Sequence, residues 1–467
     1  MLSAAIVRKG GVGGPGAEDG LEPQDRRWAM LTIVLGVLLS GLDSSIANVA
    51  LPTISRELAA SPAAAVWVVN AYQLAVAIFI LPFSSLSERI GYRRVYWAGL
   101  LCFTLASLGC ASAHSFAVLV AARTLQGVGG AAISGVSQAL VRYIYPRRIL
   151  GSGMSWYTLM LAVSASLGPI VGAAILSVAN WPWLFTINLP IGALALIVGA
   201  RALPESPRRA GTADPIGAIL NALFFGLLIL GLDGLGVRDA DLLSLAKIAV
   251  GLGFGALLWV HQARKPTPML PVDLFRIPIF ALSSLTSVCS YAAQTMALLA
   301  TPFYVQNVLG RGQSDTGLII APWPLSVMLV ARLAGAAADR YPAGLLAGLG
   351  LTSMATGLGL LASLPPNPST LDIMWRVALC GLGFGFFQTP NNRAMMTAGP
   401  KERSGGANGA MGASRMLGQT GGAAIAAATF ASTPGYGFRA VFVIALLFAA
   451  SGAGISFLRL APRRESR

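Results

Sequence analysis

The sequence predicts an all-α membrane protein built as two six-helix bundles, with two extra transmembrane helices between them and both termini in the cytoplasm. Three observations carry this reading. First, 55% of the 467 residues are hydrophobic and 11% are charged, with a mean hydropathy of +0.69. Soluble domains carry roughly 25% charged residues, so a water-facing globule of this composition would expose large apolar areas. Second, uncharged apolar runs of about 20 residues, the length that crosses a bilayer, alternate with short polar connectors from Trp28 onward. Third, the beginning and the end of the chain repeat one layout. The same hydrophobicity excludes disorder.

The chain opens on a Gly-rich, charged stretch, expected to be a flexible cytoplasmic tail over 1–27. Its Gly11-Val12-Gly13-Gly14-Pro15-Gly16 fits GxGxxG in form, but without a strand before it or a helix after it this is no dinucleotide loop. A charged segment, an apolar segment and a small-residue cleavage site do not follow one another there, which argues against a signal peptide. Spans are then expected near 28–50, 66–86, 95–113, 117–140, 152–177, 182–202, 215–234, 243–262, 279–306, 315–337, 343–364, 372–396, 404–431 and 437–458, fourteen in all. Their length and lack of alternating polarity exclude barrel strands. They group into an N-terminal six-helix bundle (28–203), two linker helices (204–265), a C-terminal six-helix bundle (266–460) and a tail (461–467).

Direction follows from charge. The formal net charge is +15, which in a soluble protein would suggest a nucleic-acid partner. Here the positive residues cluster between apolar runs. With the N-terminus inside, 24 Lys and Arg fall on the inner side, 6 on the outer side, and Arg123, Arg332 and Arg415 lie within spans. That bias places both termini in the cytoplasm. Cys102, Cys110, Cys289 and Cys380 all lie in apolar stretches, without CxxC spacing, and read as small core residues. His114 and His261 stand far apart at span ends. Neither a metal nor a cofactor is expected, and no nucleic-acid partner.

The repeat is visible in detail. Each half carries a small-residue-rich stretch followed by an acid–Arg pair after its second span: Ser84-Ser85-Leu86-Ser87-Glu88-Arg89 in the first, Gly335-Ala336-Ala337-Ala338-Asp339-Arg340 in the second. Paired six-helix halves suggest a secondary transporter with a site between repeats near the midplane.

Five motifs then stand in order along the first half. They are Leu42-Asp43-Ser44-Ser45-Ile46-Ala47-Asn48-Val49-Ala50-Leu51-Pro52, the loop over 84–94 (SSLSERIGYRR), and Arg123-Thr124-Leu125-Gln126-Gly127-Val128-Gly129. Leu167-Gly168-Pro169-Ile170-Val171-Gly172-Ala173 and the stretch over 180–192 (NWPWLFTINLPIG) complete the set. Together they resemble the major facilitator superfamily, in particular its fourteen-span drug:proton antiporter branch, over essentially the whole chain after residue 28. The departures are Ser84 and Glu88, where the family's loop motif has Gly and Asp, and Ala173 for a second Gly in span 5. The resemblance implies a proton-coupled exporter of lipophilic small molecules, multi-pass in the bacterial cytoplasmic (inner) membrane, driven by the proton gradient and monomeric. It implies a proton-coupling role for Arg123. It also implies that the loop with Glu88, Arg89, Gly91, Arg93 and Arg94 bridges the halves through ion pairs and a helix N-terminus, gating access together with Asp339 and Arg340. Gly168, Pro169 and Gly172 would mark an exporter.

The residues support a physical reading beside this. Asp43 is the one carboxylate placed well inside a hydrocarbon span, roughly 22 Å along the helix from Trp28. An acid there costs on the order of 2.5–3.5 kcal/mol, so it persists where a cavity or partner receives it. A carboxylate that releases its proton as cargo arrives is the minimal antiport device; the alternative is a structural group hydrogen-bonded by Ser44, Ser45 and Asn48. Arg123, always charged, could tune that acid or bond carbonyls of a neighbouring span. Arg332 is near enough to the inner end to snorkel. Arg415 lies deeper and is expected to face a cavity or the first half. Gly168, Pro169 and Gly172 combine a kink with a smooth face, which ordinary membrane packing also uses. Candidate cavity residues are Asn70, Tyr72, Gln73, Gln126, Tyr291, Gln294, Phe387, Gln388 and Asn391, with Asp43 and Arg415.

One buried acid set against Arg123 and Arg415 predicts a monovalent cationic, neutral or zwitterionic cargo, exchanged for about one proton. Rival readings are an exporter or facilitator of a specific metabolite or lipid, and a membrane sensor that transports nothing. An intramembrane enzyme would need a nucleophile–base pair or metal ligands at depth, which one carboxylate and two peripheral histidines do not supply.

Overall fold

The structure, a computed structural model, describes residues 20–60, 62–65, 67–208, 214–237, 242–265, 268–432 and 437–460. Among these residues fourteen helices have 15 residues or more: α1 (Pro23–Glu57), α2 (Trp67–Ile90), α3 (Tyr92–Ala111), α4 (Phe116–Ile144), α5 (Leu150–Val178), α6 (Asn188–Ala202), α7 (Pro215–Val237), α8 (Leu242–Ala263), α9 (Pro278–Phe303), α10 (Pro322–Ala338), α11 (Ala343–Ala362), α12 (Thr370–Ala398), α13 (Ser404–Ser432) and α14 (Gly437–Leu458). Each coincides with one expected segment. The Gly11–Gly16 run and the tail over 461–467 lie outside the described residues.

Boundaries move where local chemistry sets them. α1 begins at Pro23, ahead of the expected residue 28: proline at the first helical position forfeits no hydrogen bond, and Asp25 meets the positive end of the helix. The expected tenth span is broken at Ala321, just before Pro322, into Gln313–Ile320 and α10. A single turn, Trp183–Thr186, precedes α6. α9 passes after Pro302 into a π turn, Tyr304–Val308. At the equivalent ends of α4 and α12, Ser115 and Ser369 cap the first turn, accepting from Val118 N–H and Asp372 N–H.

Among the described residues, twelve stretches are long and apolar enough to cross a membrane. α9 and α13 fall outside that set. α9 carries Ser283, Ser284, Thr286, Ser287 and Ser290, and α13 is rich in glycine with Asn408, Ser414 and Arg415, which lowers hydropathy. All the hydroxyls named on α9 are buried, so these helices show polar groups to protein. Elsewhere large apolar side chains such as Leu105, Val178, Ile197 and Leu329 are exposed, the surface of a chain whose solvent is lipid.

The described helices sort into two packing units. The first takes its residues from Met1–Gly153, Leu167–Ala213 and Pro400–Gly409; the second takes them from Met154–Ser166, Asp214–Gly399 and Ala410–Arg467. In the first, α1 packs on α4 and α6, α2 on α4, and α3 on α4 and α6. In the second, α9 packs on α12 and α14, α10 on α12, and α11 on α12 and α14. These are the same five pairs, so the repeat read in the sequence is a repeat of packing. Glycines set the closest approaches. A Cβ on Gly129 of α4 would lie 2.6 Å from the Phe103 nitrogen of α3, and one on Gly350 of α11 would lie 2.7 Å from the Gly383 carbonyl of α12.

The linker helices α7 and α8 pack on each other within the second unit. Asp214, just ahead of α7, joins their ends. Its Oδ1 accepts from Gly217 N–H at 3.0 Å and lies 2.9 Å from His261 Nε2 and 3.9 Å from Lys265 Nζ. Its Oδ2 accepts from Gln262 Nε2 at 2.6 Å, and Gln262 Oε1 accepts from Met269 N–H. Burial opposes the carboxylate's charge, but the hydrogen bonds from His261, Gly217 and Gln262 outweigh it and hold Asp214 below the usual carboxyl range. A depressed folded pKa contributes stability that is present above the unfolded value and lost as pH falls through the folded one. Amides at the start of α7 are therefore expected to exchange faster below about pH 4. Asp214→Asn should remove that acid dependence; hydrogen exchange against pH measures both.

Candidate functional site

Helices α1, α4, α3 and α6 of the first unit each bring a polar side chain to one buried point. Asp43 of α1 is 1% exposed and Arg123 of α4 is fully buried. Arg123 Nη1 donates to Asp43 Oδ2 at 2.5 Å and to Gln126 Oε1 at 2.5 Å, and Nε donates to the Val68 carbonyl at 2.8 Å. The other carboxylate oxygen, Oδ1, accepts from Gln126 Nε2 and from Asn188 Nδ2, each at 2.8 Å. Ser107 Oγ accepts from the same two amides, at 2.8 and 3.4 Å. Above the guanidinium lie the rings of Tyr72 (4.6 Å from Cζ to centroid) and Phe185 (5.5 Å). The anion thus has a matched cation and two amide donors, the conditions under which a charge survives burial.

Two of the residues expected in a cavity with Asp43 do stand beside it. Tyr72 and Gln126 belong to the cluster around Asp43. Ser44 Oγ donates to the Gly41 carbonyl at 2.9 Å, while the side chains of Ser45 and Asn48 lie outside the described residues. Gln73 is exposed and Asn70 half-buried. Asn188 and Ser107 were missed by sequence reasoning. Asn188 sits inside the quoted 180–192 stretch, where its amide could have been read as a donor; Ser107 offers no local signal.

The loop motif closes a second cluster, also in the first unit. Gly91 sits at φ +102°, a conformation few other residues adopt, and starts α3. Glu88, 4% exposed, accepts from Arg403 Nη1 at 2.6 Å through Oε2 and from the Gly406 N–H at 2.6 Å through Oε1. The acid thereby joins a cation and the N-terminus of α13. Tyr92 Oη accepts from Gly405 N–H at 3.0 Å, and Arg142 donates to Ser404 Oγ and the Pro400 carbonyl. Ser84, where the family motif has glycine, is accommodated from the other side: a Cβ on Gly409 would lie 2.9 Å from Ser84 Cβ, and one on Gly405 would lie 2.5 Å from the Ser84 carbonyl. Arg93 pairs with Glu205 at 3.9 Å near the surface, Arg89 is half-buried and Arg94 exposed. Arg403 was counted in the sequence only as an inner charge; its burial depends on the fold.

In the second unit the counterpart acid Asp339 pairs with Arg393 of α12 at 3.1 Å, and Arg340 is exposed. Tyr291 accepts from Gln388 Nε2 at 2.9 Å, with Phe387 buried on the same helix as Gln388. Asn391 instead serves Arg459, accepting from its Nη1 at 2.8 Å and donating to Ser287 Oγ. Gln294 and Arg415 are half-buried. Arg332 is exposed, its guanidinium 4.9 Å from the Trp156 ring. Gly168 and Gly172 lie buried in α5, and the side chain of Pro169 lies outside the described residues.

A doubled set of membrane-length helices with an ion pair sealed in its interior defines a multi-pass helical transporter. Residues 33–423 match the Major Facilitator Superfamily, and the chain belongs to this family: it is a secondary transporter, not an enzyme. It is 47% identical over 449 residues to "Uncharacterized transporter YebQ" of Escherichia coli (strain K12), covering 96% of this chain and 98% of that one. It is 34% identical over 415 residues to "Multidrug resistance protein Stp" of Mycobacterium tuberculosis (strain CDC 1551 / Oshkosh), covering 87% and 76%. Among solved structures, the human organic anion transporter MFSD10 superposes with a TM-score of 0.66 at 16% identity, covering 93% of this chain and 100% of that one. At that identity the likeness is one of fold alone.

Proposed function

We propose that this protein is a proton-coupled exporter of lipophilic small molecules, of the multidrug efflux type, working by alternating access in a bacterial inner membrane as a monomer. In this reading all fourteen helices span the bilayer, α9 and α13 included, and both termini are cytoplasmic. The observation that carries the reading is the Asp43–Arg123 pair at 2.5 Å in a buried setting. Pairing with Arg123 and carrying a proton are mutually exclusive states of one carboxylate. Proton entry must part the pair, so the proton's energy is delivered to helices α1 and α4 rather than lost locally. The multidrug relative, alike over most of this chain, supports the efflux direction. The Glu88–Arg403 contact is the device that stabilises one access state, since switching proteins change by exchanging discrete contacts.

The test is drug transport by purified protein in liposomes under an imposed pH gradient. Asp43→Asn should reduce gradient-driven transport to the level of empty liposomes while leaving downhill exchange measurable. Gradient-driven transport that survives in the variant would remove Asp43 from the coupling.

A further inference from the structure

Charge balance inside the helices bears on the cargo. In the first unit Asp43 is matched by Arg123, and that cluster carries no net charge. The second unit holds Arg415 on α13, about 16 Å along the helix from Ser404, half-buried. Contacts on either side of it fix its place against α9. One residue before it, Ser414 Oγ lies 2.6 Å from Ser284 Oγ. Three residues after it, Gly418 packs so closely that a Cβ would lie 2.6 Å from the Val288 carbonyl and 2.8 Å from Tyr291 Cβ. Residues three apart on a helix are surface neighbours, so Arg415 lies beside the point where Gly418 meets Tyr291. Tyr291 already accepts from Gln388, which leaves its own proton to give.

No Asp or Glu occurs anywhere in α9 or α13, and among the described residues no ion pair joins Arg415 to a carboxylate. A cation at this depth without an internal counter-charge is costly. Its planar donor fork matches a carboxylate or a similar oxyanion. A lipophilic cation arriving here would meet repulsion from Arg415 and no unpaired acid.

We propose that Arg415, together with the Tyr291 hydroxyl, receives an anionic group of the cargo, so that the substrate is a lipophilic organic acid or a zwitterion read through its acid. Gln388 is a positioning residue that orients the Tyr291 hydroxyl. The proposal narrows the exporter reading above and takes its biological meaning from it. Exchange of a monoanion for a proton moves two charges per cycle, which ties export of an acid closely to membrane potential.

The test uses full-length protein in detergent, without any gradient, and reads binding of dansylated undecanoic acid and of its primary amide by dansyl fluorescence. Wild type is expected to bind the acid roughly ten-fold more tightly than the amide, the scale of one charge-assisted hydrogen bond. Arg415→Gln should erase that preference, Arg415→Lys should keep part of it, and Tyr291→Phe should weaken the acid alone. Equal binding of acid and amide by wild type overturns the proposal, as does a preference that survives in Arg415→Gln. Should Arg415→Gln fail to fold, the wild-type ratio and the Lys and Phe variants still decide. Because no gradient is involved, the outcome is independent of Asp43: coupling can fail with the acid preference intact, and the reverse.

Discussion

Arg123→Ala is expected to destabilise the protein by about 3–5 kcal/mol, the cost of stripping one partner from a buried ion pair. Asp43 would keep Gln126 and Asn188 as donors but lose the counter-charge that lies 2.5 Å away. The space left beneath the Tyr72 and Phe185 rings adds to the loss. Arg123→Lys should fall between, since one ammonium cannot serve Asp43, Gln126 and the Val68 carbonyl in the geometry of the fork. The double variant Asp43→Asn with Arg123→Gln should recover much of the stability, because neither residue then buries a charge. Contacting residues of this kind show coupling of about 0.5–3 kcal/mol. Thermal unfolding of these variants in detergent, with the single changes Asp43→Asn and Arg123→Gln to complete the cycle, measures this. A strictly additive result, or an Arg123→Ala protein that melts with the wild type, would show that the pair contributes nothing. Transport by the double variant then separates roles: stability without coupling is expected.

Glu88→Gln is the second large effect. It keeps the shape but removes the charge facing Arg403 at 2.6 Å, with both side chains 4% exposed. Removing one charge of a buried ion pair costs on the order of 3–5 kcal/mol, enough to release the contact locally. Amide exchange over residues 400–409 should accelerate roughly 10²-fold or more, while exchange in the α3–α4 core stays unchanged. Glu88→Asp, the residue the family motif carries, shortens the reach and should loosen the segment less. If exchange over 400–409 is unaltered in Glu88→Gln, the gating role assigned to the loop fails with it. In transport, the released variant should favour the opposite access state and lose efficiency without losing the fold.

Much of this was legible in residues alone, for definite reasons. Each of the fourteen expected segments holds a helix, and twelve stretches among the described residues are long and apolar enough to cross a bilayer, which admits few other backbones. The acid–Arg pairs that announced a repeat mark two halves packing through the same helix pairs. The edges were less legible. Pro23, Pro302 and Pro322 each moved a boundary by chemistry that apolar run length does not register.

Asp43 and Arg123 could be picked out singly, since a charge within a span must have a reason. Their meeting could not, because they stand 80 positions apart on different helices. The same holds for Asn188, whose amide only becomes a carboxylate donor once α6 packs on α1, and for Gln126, whose bond to the acid spans 83 positions. Arg403 looked like one more topological charge until burial opposite Glu88 gave it a role. Sequence by itself determined what must leave water and that the chain is doubled, because transfer energies are summed residue by residue. Tertiary structure alone decided which charge answers which. Coulomb and hydrogen-bond energies depend on distances of a few ångströms between residues far apart in the chain, and only packing sets those distances.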